Sequence, residues 1–431
     1  MTVLNWIATN MFGQPSILIG LVVFVGLALQ KKNLSNIIQG SFKSIMGFLI
    51  IGIGSGVIVE SLVLFEPMWA EVFGLKTQTF ANFMGQEGFI AKYGSVVTMA
   101  MTIGFLINLL LARFTKMKYI YLTGHMMFWT TLILAGVIIH TNPNVSNTFL
   151  LTFLSIFMGI YWTVQPALVQ PLLRKITNMD SIALGHTSAS VAIIGSFAGK
   201  LLGNEKKNAE ELKVSPKWAF IRDSNIVTGL TMATLFIVGA ILLSLKNTGA
   251  ANEILAKSGD TNFYVHSIIM SLKFAGGIAI VLFGVRMFIG ELVPAFKGIA
   301  TKLVPNAKPA LDCPIVFTYA PNSVILGFLG SFIGAIFWLL ILGKFVGYVF
   351  VPTMIVLFFH SATAGVFGNK TGGVRGALIA GFLTSTVVAV GQYLMITFFL
   401  TSTIPDTAMW AADSDMFILA PIVRFITSLF M

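Results

Sequence analysis

Long apolar runs separated by short polar breaks dominate the chain. They fall near residues 14–30, 41–65, 94–112, 119–139, 148–170, 225–245, 265–290, 323–343, 346–367, 375–400 and 416–430. Most approach the roughly 20 residues that carry a helix through a bilayer core about 30 Å thick. The runs are continuous and not alternating, which predicts spanning helices and excludes the strands of a barrel. Because the last run is short, about ten to eleven spans are expected.

Two stretches break this pattern. Segment 181–203, SIALGHTSASVAIIGSFAGKLLG, is rich in Ser, Gly and Ala and runs from one basic break to another. It predicts a re-entrant hairpin, a structure that survives at membrane depth only where protein or a watery cavity surrounds it. The second, ALDCPIVFTYAPNSVILGF at 310–328, sets Asp312, Asn322 and two prolines in an otherwise oily stretch. Pro314 cannot donate a helical hydrogen bond, so a broken helix with Asp312 and Asn322 facing a polar solute is expected. A weak internal repeat accompanies these breaks. YGSVVTMAMTIGFLINLL from Tyr93 is similar to YAPNSVILGFLGSFIGAI from Tyr319, and GHMMFWTTLILAGV then aligns with FHSATAGVFG, making His125 and His360 counterparts. Two halves, roughly 1–224 and 225–431, would each give a broken helix to a shared site near the midplane.

Composition agrees with this reading. Of 431 residues 56% are hydrophobic and only 10% charged, far too few for the surface of a soluble domain. The net charge of +11 sits in particular breaks: Lys31, Lys32 and Lys43; Arg113, Lys116 and Lys118; Lys297, Lys302 and Lys308; and, within 172–224, Arg174, Lys175, Lys200, Lys206, Lys207, Lys213, Lys217 and Arg222. Neutral or acidic breaks at 65–74, 141–147 and 246–262 alternate with them. That is the positive-inside pattern of a membrane protein and not a nucleic-acid surface. It places 172–224 in the cytoplasm and the N-terminus outside. The first residues lack a basic leader and a small-residue cleavage site, so the first span is expected to be retained. A single cysteine, Cys313, excludes an internal disulfide and reads as a small packing residue.

Ionisable side chains inside apolar runs are costly and therefore functional candidates. They are His125, His186, Glu291, Asp312 and His360, with Glu60 and Glu87 as weaker ones. Three of them also have a structural reading: His125 as a tie between helices, Asp312 as the partner of a buried arginine such as Arg286, and Glu291 as an interfacial charge. No zinc-ligand spacing, nucleotide loop or nucleophile elbow occurs, so neither a metal nor another cofactor is expected, nor complete catalysis within the chain. Histidines and an aspartate instead suit a small polyhydroxylated solute, whose hydroxyls need partners once they leave water.

The phrases YLTGHMMF, ALGH, RDSNIV, GVRMFIGEL, AFKGIA, LDCPIVFTYAPNSVILGF and VFGNKTGG, in that order, resemble the ascorbate-specific enzyme IIC of the phosphoenolpyruvate-dependent phosphotransferase system, within the ascorbate/galactitol superfamily. The resemblance runs from IIQGSFKSIMGF to ILAP, most of the chain. It implies an all-α polytopic membrane protein with re-entrant hairpins and two inverted repeats, in which a V-shaped dimerising part carries a mobile core. It implies a homodimer in a bacterial inner membrane that binds ascorbate outside and releases it inside, elevator-fashion, as the solute is phosphorylated. The donor would be a separate enzyme IIB bearing a phosphocysteine, fed by an enzyme IIA. Neither domain is expected within 1–431, which reads as one enzyme IIC domain.

By the same resemblance His125, His186 and Asp312 match substrate-binding positions, with Asp312 the candidate general base. Trp129, Thr187, Ser188, Asn322 and His360 complete the expected site. Trp129, Thr187 and Ser188 stand where family members carry glutamines, which leaves room for another sugar acid, a pentitol or another polyol as substrate. Relatives also continue past ILAP into a further helix, whereas the sequence given stops at Met431. An ion-coupled secondary transporter using His125, His186, Glu291 or Asp312, and a receptor that binds without transport, are the competing expectations.

Overall fold

A computed structural model describes residues 15–74, 82–212, 224–302, 304–348, 350, 352–405, 407 and 411–430. Its elements are α1 (Pro15–Leu29), α2 (Leu34–Leu62), α3 (Phe65–Val72), α4 (Gln86–Phe114), β1 (Tyr119–Tyr121), α5 (Gly124–Thr141), α6 (Asn147–Thr177), β2 (Ala183–Leu184) and α7 (Ala189–Leu202). They continue as α8 (Ser224–Ser244), α9 (Gly249–Ala256), α10 (Phe263–Lys302), β3 (Lys308–Leu311), α11 (Pro314–Phe317), α12 (Pro321–Ile341), α13 (Met354–Leu394) and α14 (Met416–Ser428). A helix lies under every apolar run predicted from the sequence. Among the described residues seven helical stretches are long and apolar enough to cross a membrane, and shorter apolar ones occupy Ile19–Leu29, Ala189–Leu202, Thr228–Ser244 and Met416–Ser428. The protein is an all-α polytopic membrane protein.

Two predicted boundaries need correction. Residues 119–123 do not begin a span. Tyr119, Ile120 and Tyr121 form a strand, as aromatic and β-branched residues favour, and helix starts only at Gly124. The run from 346 likewise becomes helical only at Met354, because α12 ends in a π-turn and Gly347 takes the left-handed conformation at φ 70°.

Two expected spans at 346–367 and 375–400 are the arms of α13. The chain folds between them at Gly373 (φ 61°, ψ −155°), a backbone region that side chains with a Cβ avoid. There Asn204 N–H donates to Gly372 O at 2.8 Å and Val374 N–H to Lys207 O at 2.9 Å, which fastens the fold to the end of α7. Segment 181–203 therefore leaves one basic break as β2 and ends as α7 at another, beside Lys206 and Lys207. Close helix contact positions the rest. A Cβ at Gly327 of α12 would stand 2.2 Å from Ser361 O, and one at Gly381 of α13 only 1.9 Å from Gly327 O, so backbone lies directly against backbone there.

The three strands form one parallel sheet in the order β1-β3-β2, with Tyr121 opposite Ala310 and Leu184 opposite Leu311. An exposed edge in an apolar interior would leave peptide groups unpaired. Asn108 of α4 covers that of β1: its Nδ2 donates to Tyr119 O at 3.0 Å and its Oδ1 accepts from Tyr121 N–H at 3.0 Å. On the other side Gln170 of α6 donates to Ile182 O at 2.9 Å.

Candidate functional site

Parallel strands end on the same side, so whatever follows each is brought together. β1 is followed by Thr123 and His125, β2 by His186, and β3 by Asp312. Leu122 N–H donates to Ala310 O at 2.9 Å and Gly185 N–H to Leu311 O at 2.7 Å, carrying the ladder to its last residues. His125 Nε2 then lies 3.6 Å from Asp312 Oδ2, and His186 Nε2 lies 3.7 Å from Asp312 Oδ1. Residues 61 to 187 positions apart share one centre. Exposure grades across it: the side chain of His125 is 38% accessible, that of Asp312 19% and that of His186 5%.

Hydrogen bonds fix the orientation of these groups. Ser188 N–H donates to His186 Nδ1 at 3.1 Å, so this nitrogen is an acceptor and the ring proton sits on Nε2, towards Asp312. Asp312 Oδ1 also accepts Cys313 N–H at 2.7 Å. Helix α5 begins at the centre, and the positive end of its dipole favours an anionic occupant. The donor atoms of His125, His186 and Asp312 all lie within 4.8 Å of one another, so this trio is also where a divalent cation would find ligands among the described residues.

Behind His186 stands a second, fully buried layer. The rings of His186 and His360 meet edge-on at 5.2 Å. His360 Nε2 approaches Asp413 Oδ1 to 2.9 Å with 1% and 2% of the two side chains accessible. The pair is at ion-pair distance, yet neither His360 Nε2 nor Asp413 Oδ2 makes an aligned hydrogen bond. Ser414 Oγ lies 2.9 Å from His360 Nδ1 and donates to Thr187 O at 2.9 Å. Asp415 accepts from Ser190 N–H at 2.9 Å and Tyr161 OH at 2.7 Å, while Gln165 Nε2 donates to His186 O at 3.2 Å. Asp413, Ser414, Asp415, Tyr161 and Gln165 were not singled out from the sequence. Two carboxylates in ADSDM, directly ahead of an apolar run, were the available signal.

The remaining expected site residues are placed as follows. Trp129, half-buried, is one turn beyond His125 on the same face of α5 and meets the Phe128 ring at 5.4 Å. Thr187 and Ser188 are buried supports: Thr187 Oγ1 reaches Met126 Sδ at 3.2 Å and Ser188 Oγ reaches His186 Nδ1 at 3.0 Å. Asn322 opens α12, where its N–H and that of Ser323 donate to the Glu210 carboxylate at 3.1 and 2.8 Å, an N-terminal cap from another segment. Arg286 is exposed on α10, and the ionisable partners of Asp312 are the two histidines instead. Glu291 pairs with Lys43 at 3.3 Å and Glu60 with Lys273 at 3.0 Å, bridging α2 and α10. The side chain of Glu87 lies outside the described residues, as do Lys213, Lys217 and Arg222.

Residues 10–418 match the family described as "PTS system sugar-specific permease component". The chain belongs to that family. It is also similar to the ascorbate-specific PTS system EIIC component of Mycoplasma pneumoniae, with 29% identity over 434 residues covering 88% of this chain. This chain spans only 65% of the length of that relative.

Proposed function

We propose that the protein binds ascorbate, or a closely related sugar acid, between His125, His186 and Asp312 and carries it across a bacterial cell membrane coupled to phosphorylation by a separate enzyme IIB. The observation that supports this most is the convergence of these three side chains at the carboxyl ends of a parallel sheet buried among membrane helices. A polyhydroxylated anion finds there donors on two imidazoles, an acceptor on one carboxylate and the N-terminus of α5. The sugar name comes from the Mycoplasma relative and applies to that protein; the residues here supply the matching chemistry.

In the transfer step Asp312 acts as general base. The solute hydroxyl oxygen attacks phosphorus of the partner's phosphocysteine and its proton passes to an Asp312 oxygen. As the P–O bond forms the P–S bond breaks, leaving the cysteine as thiolate. Positioning supplies most of the rate, since a phosphoryl transfer state needs alignment and charge balance more than covalent help. The mobile core, a homodimer and an external N-terminus complete this reading.

A second reading draws on the buried His360–Asp413 pair beside His186. An ionisable pair in contact with a solute site is what a proton-coupled carrier would use. A binding screen of purified protein against ascorbate, other sugar acids, pentitols and hexitols tests the substrate. Saturable ascorbate binding that is lost in His125→Ala and His186→Ala supports the proposal, whereas polyol binding with no ascorbate binding overturns it.

A further inference from the structure

The three strands that gather the site also gather something at their opposite ends. β1, β2 and β3 begin where the breaks 113–118, 174–181 and 302–308 end, and parallel order brings these breaks to one face. A cleft of about 630 Å³ opens there, lined by Lys116, Lys118, Asp180, Ser181, Asn306 and Lys308. Its only carboxylate is already engaged: Asp180 receives Arg174 Nε and Lys308 Nζ, each at 2.6 Å, and Gln170 Nε2 at 3.0 Å. Partial burial pushes its carboxyl up, but the hydrogen bonds from Lys308, Gln170 and Arg174 outweigh that and hold it below the usual carboxylate range. It therefore stays ionised and consumed by its own cations. Lys118 Nζ donates only to Arg113 O, at 3.0 Å, and Lys116 is exposed with no ion pair among the described residues. Among the described residues the cleft thus keeps a surplus of positive charge that no further carboxylate answers.

We propose that this cleft is the docking site of the phosphorylated enzyme IIB, its lysines receiving the phosphoryl-bearing loop. This rests on the reading above that a soluble phosphoprotein is the donor. A phosphoryl group brings close to two negative charges and three strong acceptor oxygens, which suits a lysine-lined cleft. Geometry connects dock and site. From Lys308 in the cleft to Asp312 is the length of β3 and one residue more, about 13 Å at 3.3 Å per residue. One small sheet therefore fixes the spacing between the donor's landing place and the acceptor hydroxyl.

The test measures binding of phosphorylated ascorbate-system enzyme IIB to this protein in nanodiscs, without ascorbate, for wild type and for the double variant Lys116→Glu, Lys118→Glu. The proposal predicts affinity at least tenfold weaker in the double variant, a smaller loss in Lys116→Gln, and binding to wild type that weakens with added salt. Equal affinity in wild type and double variant, or no binding to wild type, overturns it. So does a difference that appears with phosphatidylglycerol nanodiscs and vanishes in phosphatidylcholine ones, which would assign the lysines to lipid headgroups. Because docking is read without ascorbate, failure of the substrate proposal shows separately, as absent ascorbate binding in a protein that still docks its partner.

Discussion

His186 is held from both sides. Ser188 fixes its Nδ1, His360 abuts its ring, and its Nε2 is left to face Asp312. Truncation to alanine removes a charge-assisted donor worth about 1.5–3 kcal/mol, so ascorbate affinity should fall at least tenfold by calorimetry. Unchanged affinity would place the solute elsewhere. Asp312→Asn keeps the size and an acceptor oxygen but cannot take the proton. Binding should persist within a few-fold while phosphorylation-coupled uptake drops about 10²-fold or more; unchanged turnover would remove Asp312 from the base role. Asp413→Ala removes the carboxylate packed against buried His360 and leaves that ring without its neighbour, which should cost about 1–3 kcal/mol, read as a lower thermal midpoint in detergent. His125, His186, His360 and Asp312 were legible because an ionisable group in an apolar run stands out. Asp413 and Asp415 were not, since they border a short run where charges are ordinary.

The long helices were legible as elements because each fills a long apolar run, whereas α3 and α9 lie in the neutral breaks, and the broken stretch around Asp312 was legible through Pro314. The sheet was not. Strands of two to four residues cannot show an alternating pattern, and Tyr119–Tyr121 merge smoothly into the apolar residues that follow. Only pairing across distant parts of the chain reveals them. Helix contacts at this scale depend on absent side chains. Gly381→Ala would set a methyl 1.9 Å from Gly327 O, whereas Gly52→Ala on α2 meets nothing within 4 Å. The first should lower the thermal midpoint by several degrees or prevent accumulation, and the second should leave it within about a degree. Equal midpoints for the two would contradict the close crossing of α12 and α13.

At the scale of the whole molecule, alternating basic and neutral breaks predict a topology, and the structure adds that basic segments from distant parts of the chain meet on one face. Strand direction explains this, because each parallel strand starts from that face and ends at the polar centre. The account stands on the claim that transport is coupled to phosphoryl transfer onto the solute held there. Uptake of labelled ascorbate by proteoliposomes tests it most directly. The account predicts accumulation that requires phosphorylated enzyme IIB on the basic face, yields ascorbate phosphate inside, and is indifferent to a protonophore. Accumulation of free ascorbate without that partner, abolished by the protonophore, would contradict it and favour the His360–Asp413 pair as a proton-coupling device.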